Sequence, residues 1–148
     1  MNAADFGGSG RAFLDSNVIV YAISDEDRQK SNVARTLMRS LIESRRGVIS
    51  AQVLGESFVT LTHKGKHPLL PQDAIADIKG LRCFRIVPLT GDLVFRALDI
   101  QQEFQLSYWD ALIIAAAESA GCATVWSEDL SDGQKYGDVT VRNPFAGG

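Results

Sequence analysis

Cysteine is scarce in this 148-residue chain. Cys83 and Cys122 lie far apart and form no Cys-x-x-Cys pair, which argues against a zinc site or a disulfide scaffold and fits a reducing cytoplasm. Both read as small core residues. Long apolar runs are missing too. The densest, Ala111 to Ala117, falls far short of the roughly eighteen residues that a membrane span needs. Residues 1–10 lack the basic and apolar regions of a secretory signal. Gly7-Gly8-Ser9-Gly10 reads as a flexible lead-in, without the strand and Lys that would make it a phosphate loop. An excess of positive charge is also absent. The formal net charge of −3 excludes a protein held to nucleic acid by a global positive field. No Gly-x-Ser-x-Gly elbow occurs and neither Cys is near a His in sequence, so nucleophilic catalysis has little support. Only two histidines are present. His63 and His67 are four apart, but Gly65 and Pro68 weaken any helix that would align them as zinc ligands.

What remains is an ordinary globular composition, 45% hydrophobic and 22% charged. It fits a single domain over residues 11–145, with a tail at 146–148. Short apolar runs predict strands at Ala12–Leu14, Val48–Ser50, Phe84–Pro88, Thr124–Ser127 and Val139–Val141. Helical periodicity predicts helices between them. A short one covers Val18–Ile23, and a longer one runs from about Arg28 to Arg45, ended by Gly47. Ser50 caps a helix over residues 51–63, Pro71 starts another reaching about Leu81, and Thr90 caps a third over 91–105. Ser107 opens the most apolar helix, which ends at Gly121. Strands alternating with helices imply an α/β fold with a central parallel sheet flanked by helices on both faces.

Four acids stand at the points where such a fold places chemistry. Asp15 follows the first strand and Asp129 the fourth; Glu56 lies on the helix after the second strand, and Asp110 opens the most apolar helix. In a parallel α/β sheet, strand ends and the first turns of the following helices share one edge. Carboxylates packed there without a cation repel and some protonate, whereas hard divalent cations turn them into an oxygen-ligand site. Each acid also has a plainer reading. Asp15 can cap a turn through Asn17, and Asp110 completes the Ser107-x-x-Asp110 capping box. Glu56, about one and two-thirds turns into its helix, can be a solvated face residue. Asp129 sits beside Glu128 and Asp132 in an acidic loop. Setting four acids aside as ligands leaves 14 of the 18 against 15 basic residues, so the charge does not exclude a nucleic-acid substrate. His63-Lys64-Gly65-Lys66-His67 and the set Arg35, Arg39, Arg45 and Arg46 are candidate phosphate contacts, each with a solvated surface as its default.

Phe13-Leu14-Asp15-Ser16-Asn17, Glu56, Tyr108-Trp109-Asp110-Ala111-Leu112-Ile113 and Ser127-Glu128-Asp129-Leu130 together resemble the PIN-domain ribonucleases. The resemblance is greatest to VapC-type toxins of bacterial toxin–antitoxin pairs, and it runs from about Arg11 to Phe145. It implies a PIN-like fold, and Asp15, Glu56, Asp110 and Asp129 as a catalytic site for one or two Mg²⁺ or Mn²⁺ ions. Ser16, Asn17 and Ser127 match its supporting positions. It implies RNA as substrate, a homodimer, and a cognate antitoxin. Two departures stand out: the lead-in is long, and the Ser-Glu-Asp motif lets Glu128 assist or replace Asp129. The rival readings are a catalytically silent RNA-binding PIN-like domain and a Mg²⁺-binding receiver-like signalling module. The receiver lacks support, because no Asp follows the third strand and no immediate Lys the fourth.

Overall fold

The computed structural model describes Phe6 and residues 8–146. Among these residues six strands form one sheet: β1 (Arg11–Leu14), β2 (Gly47–Ser50), β3 (Arg85–Val87), β4 (Cys122–Trp126), β5 (Lys135–Tyr136) and β6 (Val139–Arg142). Their order is β3-β2-β1-β4-β6-β5. Every pairing is parallel except that of β5 with β6. The chain steps outward from β1 through β2 to β3, then returns to lay β4 on the other side of β1. With right-handed crossovers, that reversal puts the helices before β3 on one face and those after it on the other. The reversal lies between β1 and β4, and it is there that open α/β sheets gather their functional groups.

Among the described residues six α-helices cover the sheet: α1 (Ser16–Ile23), α2 (Arg28–Ser44), α3 (Ala51–His63), α4 (Pro71–Lys79), α5 (Gly91–Phe104) and α6 (Tyr108–Ser119). Their starts follow local chemistry. Asp27, Ser50, Thr90 and Ser107 each accept a backbone N–H from the first turn of α2, α3, α5 and α6 respectively. Pro71 occupies the first turn of α4, where its missing N–H costs nothing. The helix α6 is buried along the whole of Ala111–Ala117, so its apolar run belongs to an internal helix packed on β4 and β2. Phe13, Leu14, Val48, Ile49, Val125 and Val141 are almost wholly enclosed, which is why these strands read as continuous apolar runs.

Several details differ from expectation. The helix α2 ends at Ser44, where Arg45 takes a left-handed conformation (φ 57°) and the N–H of Arg46 bonds to the Leu41 carbonyl. Gly47 is therefore the first residue of β2 and does not terminate the helix. The strand β5 was not foreseen, because two residues carry no periodicity; Gly137 (φ 62°) makes the turn that folds it back on β6. Cys122 is buried as expected, and burial pushes its thiol up to about 12, but Cys83 is exposed. Much of the lead-in lies outside the described residues. Phe6, however, is buried edge-on against Trp126 with ring centres 5.2 Å apart. Arg46 donates to the carbonyls of Phe6 at 2.9 Å and Gly10 at 2.7 Å, so it staples this segment rather than facing solvent phosphate.

Gly47 is required by size. A β-carbon there would lie 2.4 Å from two atoms of the Phe84 ring and 3.3 Å from Leu41 Cβ. Phe84 is itself buried beside β3 and has little room to move. Gly47→Ala is expected to destabilise the fold by about 1–3 kcal/mol through overpacking, read as a lower urea midpoint at unchanged slope. An unchanged midpoint would show that Phe84 yields freely.

Candidate functional site

The end of β1 meets the end of β4 through a cluster of short polar side chains. Asp15 is the N-cap of α1 and its Oδ1 accepts the Ser16 N–H at 2.8 Å. Its Oδ2 accepts from Ser127 Oγ at 2.8 Å and from Asn17 Nδ2 at 3.5 Å. The Ser127 oxygen in turn accepts the N–H groups of Asp129 and Leu130, which fixes the loop leaving β4. Asn17 joins the two strand ends. Its Nδ2 reaches Asp129 Oδ2 at 3.1 Å and Ser127 Oγ at 3.3 Å, while its Oδ1 accepts the Glu128 N–H at 3.1 Å. Asp15 thus has its capping role, and it also anchors a larger assembly.

Glu56 and Asp110 approach the same place from the helices. Asp110 is in the first turn of α6, where the helix dipole favours its negative charge. Ser107 Oγ accepts the Asp110 N–H at 3.1 Å, which is one half of the expected capping box. Asp15 is only 6% exposed, and its carboxyl pKa is pushed up to about 6. Burial is the main cause; the bonds from Ser127 and Ser16 oppose it, and the charges of Glu56 and Asp129 add to it. Glu56 is also raised, first by the partial desolvation of a side chain at the rim, with Asp110 and Asp129 adding repulsion and Gln52 opposing. The neighbouring charges that act on Asp15 and Glu56 are therefore all negative. The four acids are thus linked through Glu56, which feels Asp110 and Asp129 and itself acts on Asp15.

Among the described residues, no three His, Cys, Asp or Glu side chains are drawn close enough to enclose an ion. The arrangement is an open rim of oxygen donors. Its chemistry suits Mg²⁺ or Mn²⁺, since Mg²⁺ keeps several waters and takes only one or two carboxylates besides substrate oxygens. His63 and His67 do not form a metal site there. The His63 ring turns back to Thr62 and the Val59 carbonyl, and the backbone N–H of His67 donates to Glu26 on the far side of the groove from Asn17.

Glu128 is turned elsewhere. Its carboxylate forms an ion pair with Lys30 and accepts the Tyr21 hydroxyl at 2.9 Å. Sequence reasoning passed over both partners, because neither belongs to a motif and they lie 98 and 107 residues from Glu128. Beside Asp129, a groove of about 350 Å³ runs between α1 and the loop after α3. Ser16, Asn17 and Tyr21 line one wall, and Thr60, Lys64 and His67 the other. Part of the expected basic loop thus shares a groove with Asp129. Arg35, by contrast, is bonded to Asp25 and the Ala22 carbonyl.

A profile of the PIN domain family matches residues 12–131. The chain belongs to the PIN domain family. With that membership the receiver-like reading is set aside. Solved structures share the fold at low identity. The VapC20 toxin of Mycobacterium tuberculosis, described as cleaving the sarcin–ricin loop, is 20% identical over 80% of this chain and 89% of its own, with a TM-score of 0.63. The DNA-bound VapBC of Salmonella typhimurium is 18% identical over 92% of this PIN domain chain and 99% of its own, with a TM-score of 0.67. A toxin–antitoxin complex from Klebsiella pneumoniae is 18% identical over 90% and 98%, at 0.63. Among curated proteins none matches.

The raised pKa of Asp15 sets a pH dependence for the metal-free PIN domain. The folded state holds this proton more tightly than the unfolded chain. The resulting stability is complete below about pH 4 and is lost as pH rises through about 6. Relative to Asp15→Asn, the metal-free wild type should lose on the order of 2–3 kcal/mol between pH 4 and pH 7, measured by urea unfolding. Parallel pH profiles for the two proteins would contradict the burial argument.

Proposed function

We propose that this PIN domain is a Mg²⁺- or Mn²⁺-dependent endoribonuclease and the toxin of a toxin–antitoxin pair. The observation that carries the reading is the electrostatic linkage of Asp15, Glu56, Asp110 and Asp129, in which every neighbouring charge acting on Asp15 and Glu56 is negative. Such a set is costly by itself and becomes favourable around a divalent cation. Asp15 and Asp110 are assigned as direct ligands; Glu56 and Asp129 ligate or act through water.

A bound ion supplies charge neutralisation at the scissile phosphate and acidifies the attacking water. The chain supplies the rest. Ser127, Asn17 and the Ser16 N–H hold the Asp15 carboxylate in one orientation. Asn17 holds Asp129 in the same way. The groove beside Asp129 receives the strand next to the cut, and Lys64 on its wall meets phosphate. In-line attack by water leaves a 5′-phosphate and a 3′-hydroxyl and requires no imidazole.

The toxin role is supported by the relatives, which include a toxin that cleaves RNA and complexes of toxin with antitoxin. A homodimer and a cognate antitoxin that blocks the acid rim belong to the same proposal. No helix among the described residues is long and apolar enough to cross a membrane.

Asp15→Asn is expected to lower Mn²⁺- or Mg²⁺-dependent cleavage of single-stranded RNA by roughly a hundredfold or more, with the far-UV circular dichroism of the wild type. Undiminished cleavage by the folded variant would sink the assignment. RNA binding without cleavage by the wild type in either metal would favour the catalytically silent alternative.

A further inference from the structure

Glu128 and Asp129 leave β4 as adjacent carboxylates, yet only Asp129 faces Asn17 and the other acids. The backbone does not sort them, since Asn17 and Ser127 hold the N–H groups of both. The sorting is done by side chains. Lys30 pairs with Glu128 Oε1, and the Tyr21 hydroxyl donates to Oε2 at 2.9 Å. The ammonium also donates to that hydroxyl at 3.3 Å, so the three groups form a closed ring of hydrogen bonds.

The pair is built in rather than incidental. The side chains of Lys30 and Glu128 are 32% and 24% exposed, less than those of the Arg35–Asp25 and Arg96–Glu118 pairs. The ammonium lies 4.9 Å from the centre of the Tyr21 ring and 5.4 Å from that of Phe145, two aromatic rings packed edge-on at 5.0 Å. The backbone of Lys30 is fixed as well, because Asp27, the cap of α2, accepts its N–H at 3.0 Å. Three elements thus converge to hold one carboxylate: α1, the start of α2, and the chain after β6.

We propose that Lys30, assisted by Tyr21, is a positioning residue that withdraws Glu128 from the acid rim so that Asp129 alone completes it. A free Glu128 would add a fifth negative charge beside four that already repel, and would offer a longer, competing ligand next to Asp129. Withdrawal leaves one geometry for the ion. This rests on the metal-centre reading given under Proposed function, and it adds the residue that selects between the tandem acids.

The test uses the full chain and Mn²⁺. Mn²⁺ affinity is read by titration calorimetry, RNA cleavage by initial rates, and folding by thermal melting, for Lys30→Met, Lys30→Met/Glu128→Gln and Asp15→Asn. Lys30→Met should bind Mn²⁺ more tightly than wild type, because a carboxylate is released to the rim, while kcat for cleavage falls about tenfold. Removing the released charge in Lys30→Met/Glu128→Gln should return both quantities close to wild type. A mere packing role predicts something else: Lys30→Met weakens affinity and rate together, and Glu128→Gln rescues neither. That result overturns the proposal, as does a Lys30→Met variant indistinguishable from wild type. If Asp15→Asn abolishes Mn²⁺ binding while Lys30→Met has no effect, only the positioning role falls. If Asp15→Asn leaves Mn²⁺ binding intact, the metal-centre reading falls and the positioning role with it.

Discussion

The hydrogen bond from Ser127 Oγ to Asp15 Oδ2 is the contact on which the acid rim depends. It is fully enclosed and joins the ends of two neighbouring strands that run in the same direction. The strand register brings Leu14 beside Trp126, so the next residues, Asp15 and Ser127, emerge together. Asn17 reinforces the junction from the first turn of α1. The placement of Asp129, and the path of the loop that carries Glu128, follow from these two small side chains. A larger residue at either position would separate the strand ends by its own bulk.

Neutral donors rather than cations stabilise Asp15. A buried Arg or Lys would hold its pKa low and leave it satisfied, with no reason to take a divalent ion. Hydroxyl, amide and backbone N–H groups orient the carboxylate but leave its charge uncompensated, as the rise to about 6 records. The ammonium of Lys30 is paired with Glu128 instead. Charge balance in this region is therefore divided: Glu128 is paired with a cation of the protein, whereas Asp15 is held by neutral donors alone.

Much of the architecture was legible in the sequence because the buried strands are short uninterrupted apolar runs and the caps are Ser, Thr or Asp. Asp15 and Asp129 were legible as carboxylates after strands, Asp110 as one at a helix start and Glu56 as one on the helix after the second strand. The fold adds their electrostatic linkage and the hydrogen-bond partners of Asp15 and Asp129. What could not be read depends on contacts distant in sequence. Gly47 looks like a helix stop until Phe84 is seen against it, and Arg46 looks like surface charge until it is bonded to the Phe6 and Gly10 carbonyls. The turn of Glu128 toward Lys30 leaves no pattern in either segment. The strand β5 is too short to carry a period of any kind.

The junction of Asp15 with Ser127 spans a separation of 112 residues. Closing so large a loop is entropically costly and must be accomplished by the folding of nearly the whole domain. On a ribosome, β1 emerges early and waits for β4 and the loop beyond it before its carboxylate acquires a partner. Until then the chain has Asp15 but not the strand that orients it. A nascent or truncated chain ending before Ser127 is therefore an incomplete machine whatever its remaining fold. Order of synthesis thus becomes order of assembly: the carboxylate is made long before the strand that orients it.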